Sequence, residues 1–364
     1  MEANRTAPAE APPVELESLR AAFGGRLITD PNDLEGFVID WRRRYFGRAL
    51  AVAQPDSVQD VANVVRWCAR HRVAVVPQGG NTGLSGGATP DESGRSIVLS
   101  LARLTKVRAV DPINNSITVE AGCTLAQVHD AAQAAGRLFP LSLPSEGTCT
   151  IGGNLATNAG GAQVLRYGNA RELCLGIEVV TAAGEIWNGL RGLRKDNTGY
   201  DLRDLFVGSE GTLGIITAAT LRLFPEPAER ATALVALSDL DALLPFFQRA
   251  EAHAGGALTA FEFMSGRLLE FVTRHIPGTR RPLEGDASWY VLLEISGAEG
   301  RASSLLDDLL AQAAEAGLVS DAAVAASLQQ AAELWRLREA ASEAQKGEGG
   351  SIKHDVSVPV GRIP

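Results

Sequence analysis

Three stretches of this 364-residue chain concentrate the residue types that hold large polar ligands. The first, Pro77-Gln78-Gly79-Gly80-Asn81-Thr82-Gly83-Leu84-Ser85-Gly86-Gly87, follows an apolar β-branched run at Val73 to Val76. Successive backbone N–H groups in a tight glycine-rich turn form a concave anion site. Glycine also admits positive φ angles and close approach of a ligand. Asn81 and Thr82 add side-chain donors. The second stretch, Pro144 to Gly161, interleaves small residues with hydroxyls and amides. Such a segment can lie flat against a planar ligand while its polar groups bond the ligand's heteroatoms. Its plainer reading is a Gly/Ala-rich helix packed on a sheet, and the Gly152-Gly153-Asn154 and Gly160-Gly161 bookends argue against that. The third, Gly208-Ser209-Glu210-Gly211-Thr212-Leu213-Gly214-Ile215-Ile216-Thr217, reads alone equally well as a helix-to-strand turn. Beside the other two it becomes a third wall.

Other chemistries fit less well. The first loop is neither G-x-G-x-x-G nor a phosphate loop ending in Gly-Lys-Ser/Thr, which disfavours a doubly wound nicotinamide enzyme. Gly83-Leu84-Ser85-Gly86-Gly87 matches the G-x-S-x-G elbow of serine hydrolases. That elbow requires a helix directly after the serine, whereas Ala88-Thr89-Pro90-Asp91 leads toward another strand. Ser85 as a hydrolase nucleophile is kept as a minor alternative. The formal net charge of −9 opposes nucleic-acid binding. The four cysteines, Cys68, Cys123, Cys149 and Cys174, have no zinc spacing and suit a reducing cytoplasm. The polar start, Met1 to Val14, lacks the apolar run of a signal peptide, and no stretch is apolar enough to span a membrane.

The elements that must position these loops follow from the hydrophobic pattern. Residues 1 to about 12 read as disordered and Val14 to Phe23 as a short helix. The aromatic, basic segment Asp40 to Arg48 leads in. Ala49 to Ala53 and Val73 to Val76 read as strands, the latter ending at Pro77. Ser57 with Asp60, and Thr124 with Gln127, cap helices. Hairpins are expected at 107–120 and 176–188. A helix over Asp201 to Phe206 and a strand over Ile215 to Phe224 precede the Pro225/Pro227 boundary. Beyond it strands and helices alternate, with a helix over Ala322 to Gln345 and a last strand over Ile352 to Val358. This predicts helices on one face of a mixed sheet.

The three motifs together resemble the FAD-binding fold of the vanillyl-alcohol-oxidase (PCMH) type. Within it, from about Trp41 to Pro364, the chain is similar to the D-lactate and D-2-hydroxyglutarate dehydrogenase family. P-x-G-G-N-T-G-L-x-G-G, I-G-G-N-x-A-T-N-A-G-G and G-S-E-G-T-L-G-I-I-T carry the resemblance. It implies that Pro77, Gly79, Gly80, Asn81, Thr82, Gly83 and Leu84 bind FAD, with Gly79 to Gly83 at its pyrophosphate and Gly86 and Gly87 supporting it. Pro144, Ser145, Gly147, Thr150, Gly152, Gly153, Asn154, Thr157, Asn158, Gly160 and Gly161 would line the ribityl chain and isoalloxazine. Tyr167 and Gly168 match an R-Y-G segment near the flavin. Glu210, Gly211 and Ile215 would close over the nucleotide. The first loop holds no histidine or cysteine, so the FAD is expected to be non-covalent.

Oxidation of a 2-hydroxy acid needs a clamp for its carboxylate, and a guanidinium's paired donors suit that role. On the residues alone Arg338 reads first as a solvated helix arginine pairing with Glu339 or Glu343. The resemblance instead assigns Arg338, Ser342 and Lys353 to the substrate. His354, next to Lys353, then points the other way along the expected strand.

The family also carries an H-x-x-D-G-N-x-H segment and a later glutamate, which supply a divalent-metal site and the catalytic base. Neither occurs here, so no metal ligand or catalytic residue is assigned, and the chain reads as C-terminally truncated. The expectation is an α+β protein. Residues 1–45 form a tail and helix, 46–226 a two-subdomain PCMH-type FAD-binding domain, and 227–364 an incomplete ferredoxin-like α+β substrate domain. The expected function is FAD-dependent oxidation of a D-2-hydroxy acid such as D-lactate or D-2-hydroxyglutarate. The alternative is an inactive flavin-binding homologue. The electron acceptor is unidentified, and a homodimer is one candidate assembly.

Overall fold

The computed structural model describes residues 16–349, 352, 354 and 356–363. The expected disordered tail therefore lies outside the described residues, as do the start of the first helix and Lys353. The chain divides into two compact units. The first comprises residues up to Ala135, Ser145–Ala159 and Cys174–Arg222; the second comprises Gly136–Pro144, Gly160–Leu173 and the chain from Leu223 onward.

The first unit opens with α1 (Leu16–Ala22), β1 (Arg26–Ile28), α2 (Pro31–Val38), β2 (Ala51–Gln54), α3 (Val58–His71), β3 (Ala74–Gln78) and β4 (Ser96–Ser100). These strands form a sheet of order β1-β2-β4-β3, in which β2, β4 and β3 run parallel. Ser57 caps α3 by accepting from the Asp60 N–H, as its S-x-x-D pattern predicts. Val61, Val64, Val65 and Cys68 of α3 bury against Ala51, Ala53, Ile97 and Leu99. Val52 and Val98, on the alternate face, pack on Ile28 and Leu34. The expected end of a strand at Pro77 is corrected: β3 continues through Pro77 to Gln78. It lies at the sheet edge, where a missing N–H breaks no ladder.

The predicted hairpins form β5 (Val107–Asp111) with β6 (Ser116–Glu120), and β8 (Cys174–Thr181) with β9 (Ile186–Gly189). Between them lie α4 (Leu125–Ala134), β7 (Arg137–Leu138), α5 (Ile151–Ala156) and α6 (Val164–Tyr167); after them come α7 (Arg203–Phe206) and β10 (Gly214–Arg222). Five strands make an antiparallel sheet of order β5-β6-β10-β8-β9. Within it Arg108 bonds Glu120 at 3.3 Å and Glu178 through both Nη groups at 3.1 and 3.3 Å. Thr217 donates to Glu178 at 2.9 Å.

The second unit contains the pair β7–β11 (Phe224–Pro225) and a sheet of order β13-β14-β12-β15. Its elements are β12 (Glu229–Leu237), α8 (Leu243–Ala254), β13 (Leu258–Ser265), α9 (Gly266–His275), β14 (Trp289–Gly297), α10 (Arg301–Glu315), β15 (Val319–Val324), α11 (Leu328–Glu339) and α12 (Ala341–Ala344). The strand order and antiparallel pairing are those of a ferredoxin-like sheet, with α9 added.

Four expectations fail here. The sheet is wholly antiparallel rather than mixed. Its helices cover both faces: α8 and α10 bury Ala233, Val235, Val291 and Leu293, while α9 and α11 bury Leu234, Ala236 and Leu292. Residues 322–345 are not one helix. Gly317, at φ +70°, ends α10, and the small residues after it pair along the edge of β12 as β15. Ser327 then caps a new helix by accepting from the Gln330 N–H. Finally, the described residues of the expected strand Ile352–Val358 form none. Ile352, Val356 and Val358 are exposed, so no burial repays ordering them in a strand.

Candidate functional site

Within the first unit all three glycine stretches meet around the start of α5. The base of the first loop is held by Gln78, whose amide donates to the carbonyls of Phe37 and Ala88 at 2.8 and 2.9 Å. Asn81, in the left-handed region at φ +52°, donates to Ile39 O at 2.9 Å. Gly79 and Gly80 lie on the second stretch. A Cβ at Gly79 would stand 2.5 Å from Thr150 Oγ1, and one at Gly80 only 2.1 Å from Thr148 O. The third stretch is tied to the end of α5 by Gly208 N–H to Leu155 O at 3.0 Å and Glu210 N–H to Ala156 O at 2.9 Å. A Cβ at Gly211 would meet the Pro77 ring, and one at Gly87 the Glu210 carboxylate.

The segment 151–156 is therefore a helix packed on the sheet, against the expectation, with Gly152 abutting Ala121 backbone and Cβ. α5 packs inward through Ile151, Gly152 and Leu155, while Gly153 is half-buried and Thr157 is exposed. Asn154 is buried, its amide 3.6 Å from Cys149 Sγ, and Ile215 packs in the core.

The cradle fits a dinucleotide by two observations. Thr150 Oγ1 is buried with no hydrogen-bond partner among the described residues, although Thr150 stands at the N-cap of α5. A buried hydroxyl left unpaired costs about 1–3 kcal/mol, so a ligand atom at this spot would recover it. Cβ positions at Gly83 and Gly147 face open space, leaving room above the loops. Ser145 accepts backbone N–H bonds from Thr148 and Cys149 through its carbonyl, closing the turn that carries Gly147. Leu84 is exposed and Thr82 half-buried in the first loop, and Asn158, after α5, adopts φ +48°.

A residue group that sequence reasoning missed buttresses the loop. The Asp40 carboxylate accepts backbone N–H bonds from Arg42, Arg44 and Tyr45 at 3.1, 2.6 and 2.6 Å. Burial opposes its ionisation, but these N–H donors prevail and hold its pKa below the ordinary value. The turn sets the Tyr45 ring under Gly86, where a Cβ would come within 2.5 Å of the ring. Aspartate is a favoured residue at the start of such an Asx turn, and that alone is the signal here. Ser85 lies exposed in a stretch with no helix after it, which removes the hydrolase elbow.

Pro144, Gly160, Gly161, Tyr167 and Gly168 belong to the second unit. Gly161 abuts Ser142 backbone. Tyr167 is buried edge-on to Phe224, and the Arg166 guanidinium lies 5.0 Å over its ring. Burial raises the Tyr167 pKa, which keeps the phenol protonated at neutral pH. Arg166, the first residue of the R-Y-G segment, donates to Ser296 Oγ at 2.6 Å.

Arg338 is half-exposed on α11, and its Nε donates to Glu262 of β13 at 2.5 Å. The expected pairing with Glu339 or Glu343 is thus replaced by one across the sheet. Ser342 is exposed on α12, beyond the Ala340 cap, so Arg338 and Ser342 are not on one continuous helix. Beside α11 a cavity of about 440 Å³ is lined by Gln163, Arg230, Thr232, Glu294 and Trp335, among others. Glu294, nearly buried, accepts from Trp335 Nε1 at 2.9 Å and Thr232 Oγ1 at 3.2 Å. Among the described residues no group of three His, Cys, Asp or Glu side chains could hold a metal ion.

Comparison with known proteins agrees with this architecture. Residues 49–189 match the family model of an FAD binding domain, and residues 226–364 that of the C-terminal domain of FAD linked oxidases. The chain is 40% identical to the mitochondrial D-2-hydroxyglutarate dehydrogenase of Bos taurus, over 96% of this chain and 64% of that protein. It is 43% identical to the D-2-hydroxyglutarate dehydrogenase of Xanthomonas citri pv. viticola, over 93% and 70%. It is 37% identical to the mitochondrial enzyme of that name from Arabidopsis thaliana, over 93% and 60%. The chain thus spans roughly two thirds of the length of these relatives. In fold it is similar to an alkyldihydroxyacetonephosphate synthase (TM-score 0.73, 17% identity, 91% of this chain and 65% of that one). It is equally similar to a p-cresol methylhydroxylase (TM-score 0.71, 17% identity, 89% and 68%). With an FAD-binding domain followed by an FAD-linked oxidase C-terminal domain, the chain belongs to the D-2-hydroxyglutarate dehydrogenase family.

Proposed function

We propose that this protein binds FAD non-covalently and oxidises a D-2-hydroxy acid, D-2-hydroxyglutarate first among candidates, to the 2-oxo acid. The observation that carries the reading is the meeting of three glycine stretches around the unpartnered Thr150 hydroxyl. Gly79 to Gly83 are assigned to the pyrophosphate, and the face from Ser145 to Asn158 to the flavin. Pro144, Gly160, Gly161, Tyr167 and Gly168 are assigned to the flavin by the same resemblance. Non-covalent attachment is supported by the absence of histidine and cysteine from the first loop and by the burial of Cys149.

Oxidation takes a hydride from C2 and a proton from its hydroxyl, and bound FAD supplies the acceptor for the hydride. Arg338, Ser342 and Lys353 are assigned to the acid. The guanidinium holds a carboxylate through paired N–H donors and so fixes the direction of the C2–H bond. Residues 46–226 and 227–364 are read as the cofactor and substrate domains.

An electron acceptor outside the chain completes turnover, and a homodimer is retained as the assembly to test. Among the described residues no helix is long and apolar enough to cross a membrane. Four buried free thiols favour a reducing compartment, read here as the cytoplasm, whereas the eukaryotic relatives are named mitochondrial.

The test is the visible spectrum of the purified protein. The absorbance of bound oxidised flavin, released by denaturation without a covalent remnant, is expected. A folded protein that is colourless and takes up no added FAD ends the reading.

A further inference from the structure

We propose that Glu262 is a positioning residue that holds Arg338 by its Nε edge and leaves the Nη1–Nη2 edge to one carboxylate of the acid. The inference rests on the assignment of Arg338 to the substrate. A guanidinium presents two hydrogen-bonding edges. The Glu262 carboxylate occupies the Nε edge at 2.5 Å. Glu262 sits opposite Leu292 in the β13–β14 ladder, and Glu294 two residues along β14 lies on the same face.

The two carboxylates grip one helix. Glu294 takes Trp335 and Glu262 takes Arg338, three residues apart on the same side of α11. Beside these contacts Leu334 and Leu337 bury against Leu234 and Leu292. That packing already fixes the helix on the sheet. A half-exposed ion pair adds little to stability, so the charge on Glu262 contributes orientation rather than anchorage. With one edge taken, Arg338 meets a single carboxylate in a defined plane, and a second acidic group approaching the Nε side is repelled.

The experiment combines steady-state kinetics on D-2-hydroxyglutarate with calorimetric binding of 2-oxoglutarate, a redox-inert probe here, and thermal melts. Glu262→Ala is expected to melt near wild type, to bind 2-oxoglutarate roughly tenfold more weakly and to lower kcat/KM at least as much. Glu262→Gln, which keeps an acceptor in place, is expected to restore most of the binding. Unchanged binding and KM in Glu262→Ala, with both lost in Arg338→Ala, overturns the inference and leaves the functional reading intact. Binding unchanged in Arg338→Ala, or absent from wild type, overturns both. Should Glu262→Ala fail to fold, Glu262→Asp keeps the charge but withdraws it by one carbon. A wild-type KM in that variant overturns the inference equally.

Discussion

Gly80 and Gly83 lie three residues apart in one loop, yet a methyl group would meet opposite surroundings at each. At Gly80 it would strike the Thr148 carbonyl, and at Gly83 it would face open space. Gly80→Ala is therefore expected to cost about 1–3 kcal/mol by overpacking and to lose flavin with stability. Gly83→Ala should melt like wild type but retain less flavin, because its methyl group occupies the ligand's side of the loop. Paired melts and flavin-to-protein absorbance ratios check this. A Gly83→Ala protein with full flavin content places the pyrophosphate elsewhere. Arg338→Lys is expected to lower kcat/KM by roughly 10- to 100-fold, since an ammonium cannot present paired donors and each charged hydrogen bond is worth about 1.5–3 kcal/mol. Steady-state kinetics reads it.

The elements that hold these residues were legible to different degrees. The hairpins at 107–120 and 176–188 and the capped helices α3 and α4 follow from local patterns, because their partners are near in sequence, and the β-branched strands of the first unit follow from their apolar runs. The segment Val319–Gln345 does not. Its Ala-rich composition favours helix, and only the free edge of β12 makes Val319–Val324 a strand. Likewise the partner of Arg338 is a strand residue 76 positions away, which no spacing reveals. The glycine motifs announced the cradle. Asp40 and Tyr45 beneath it left only a weak turn signal.

Arg108→Ala strands Glu178 and Glu120 without their cation inside the five-stranded sheet, at an expected cost of about 3–5 kcal/mol in chemical denaturation. The Asp40 turn confers acid sensitivity. Its depressed pKa contributes stability that is complete above the unfolded value, about 3.9, and is lost as pH falls through the lower folded value. Flavin release on acidification should thus steepen below about pH 4 in wild type, and Asp40→Asn should flatten that dependence while weakening retention at neutral pH.

Each of the two units has its own packed sheets: Gly79 to Gly83 lie in the first, and Arg338 with Glu262 and Glu294 lies in the second. All four cysteines are buried and unpaired. Burial pushes Cys68 and Cys174 up to about 12 and Cys123 to about 11, which leaves little thiolate at neutral pH. The native protein is expected to resist alkylation at pH 8 and to expose four reactive thiols on denaturation, counted by mass.

Oxidation of a D-2-hydroxy acid at this cradle is read by anaerobic titration of the purified protein with D-2-hydroxyglutarate while flavin absorbance is followed. The account predicts bleaching by the D-isomer, none by the L-isomer, and loss of bleaching in Arg338→Ala. A folded, flavin-loaded protein whose spectrum neither D-2-hydroxyglutarate nor D-lactate alters would contradict it.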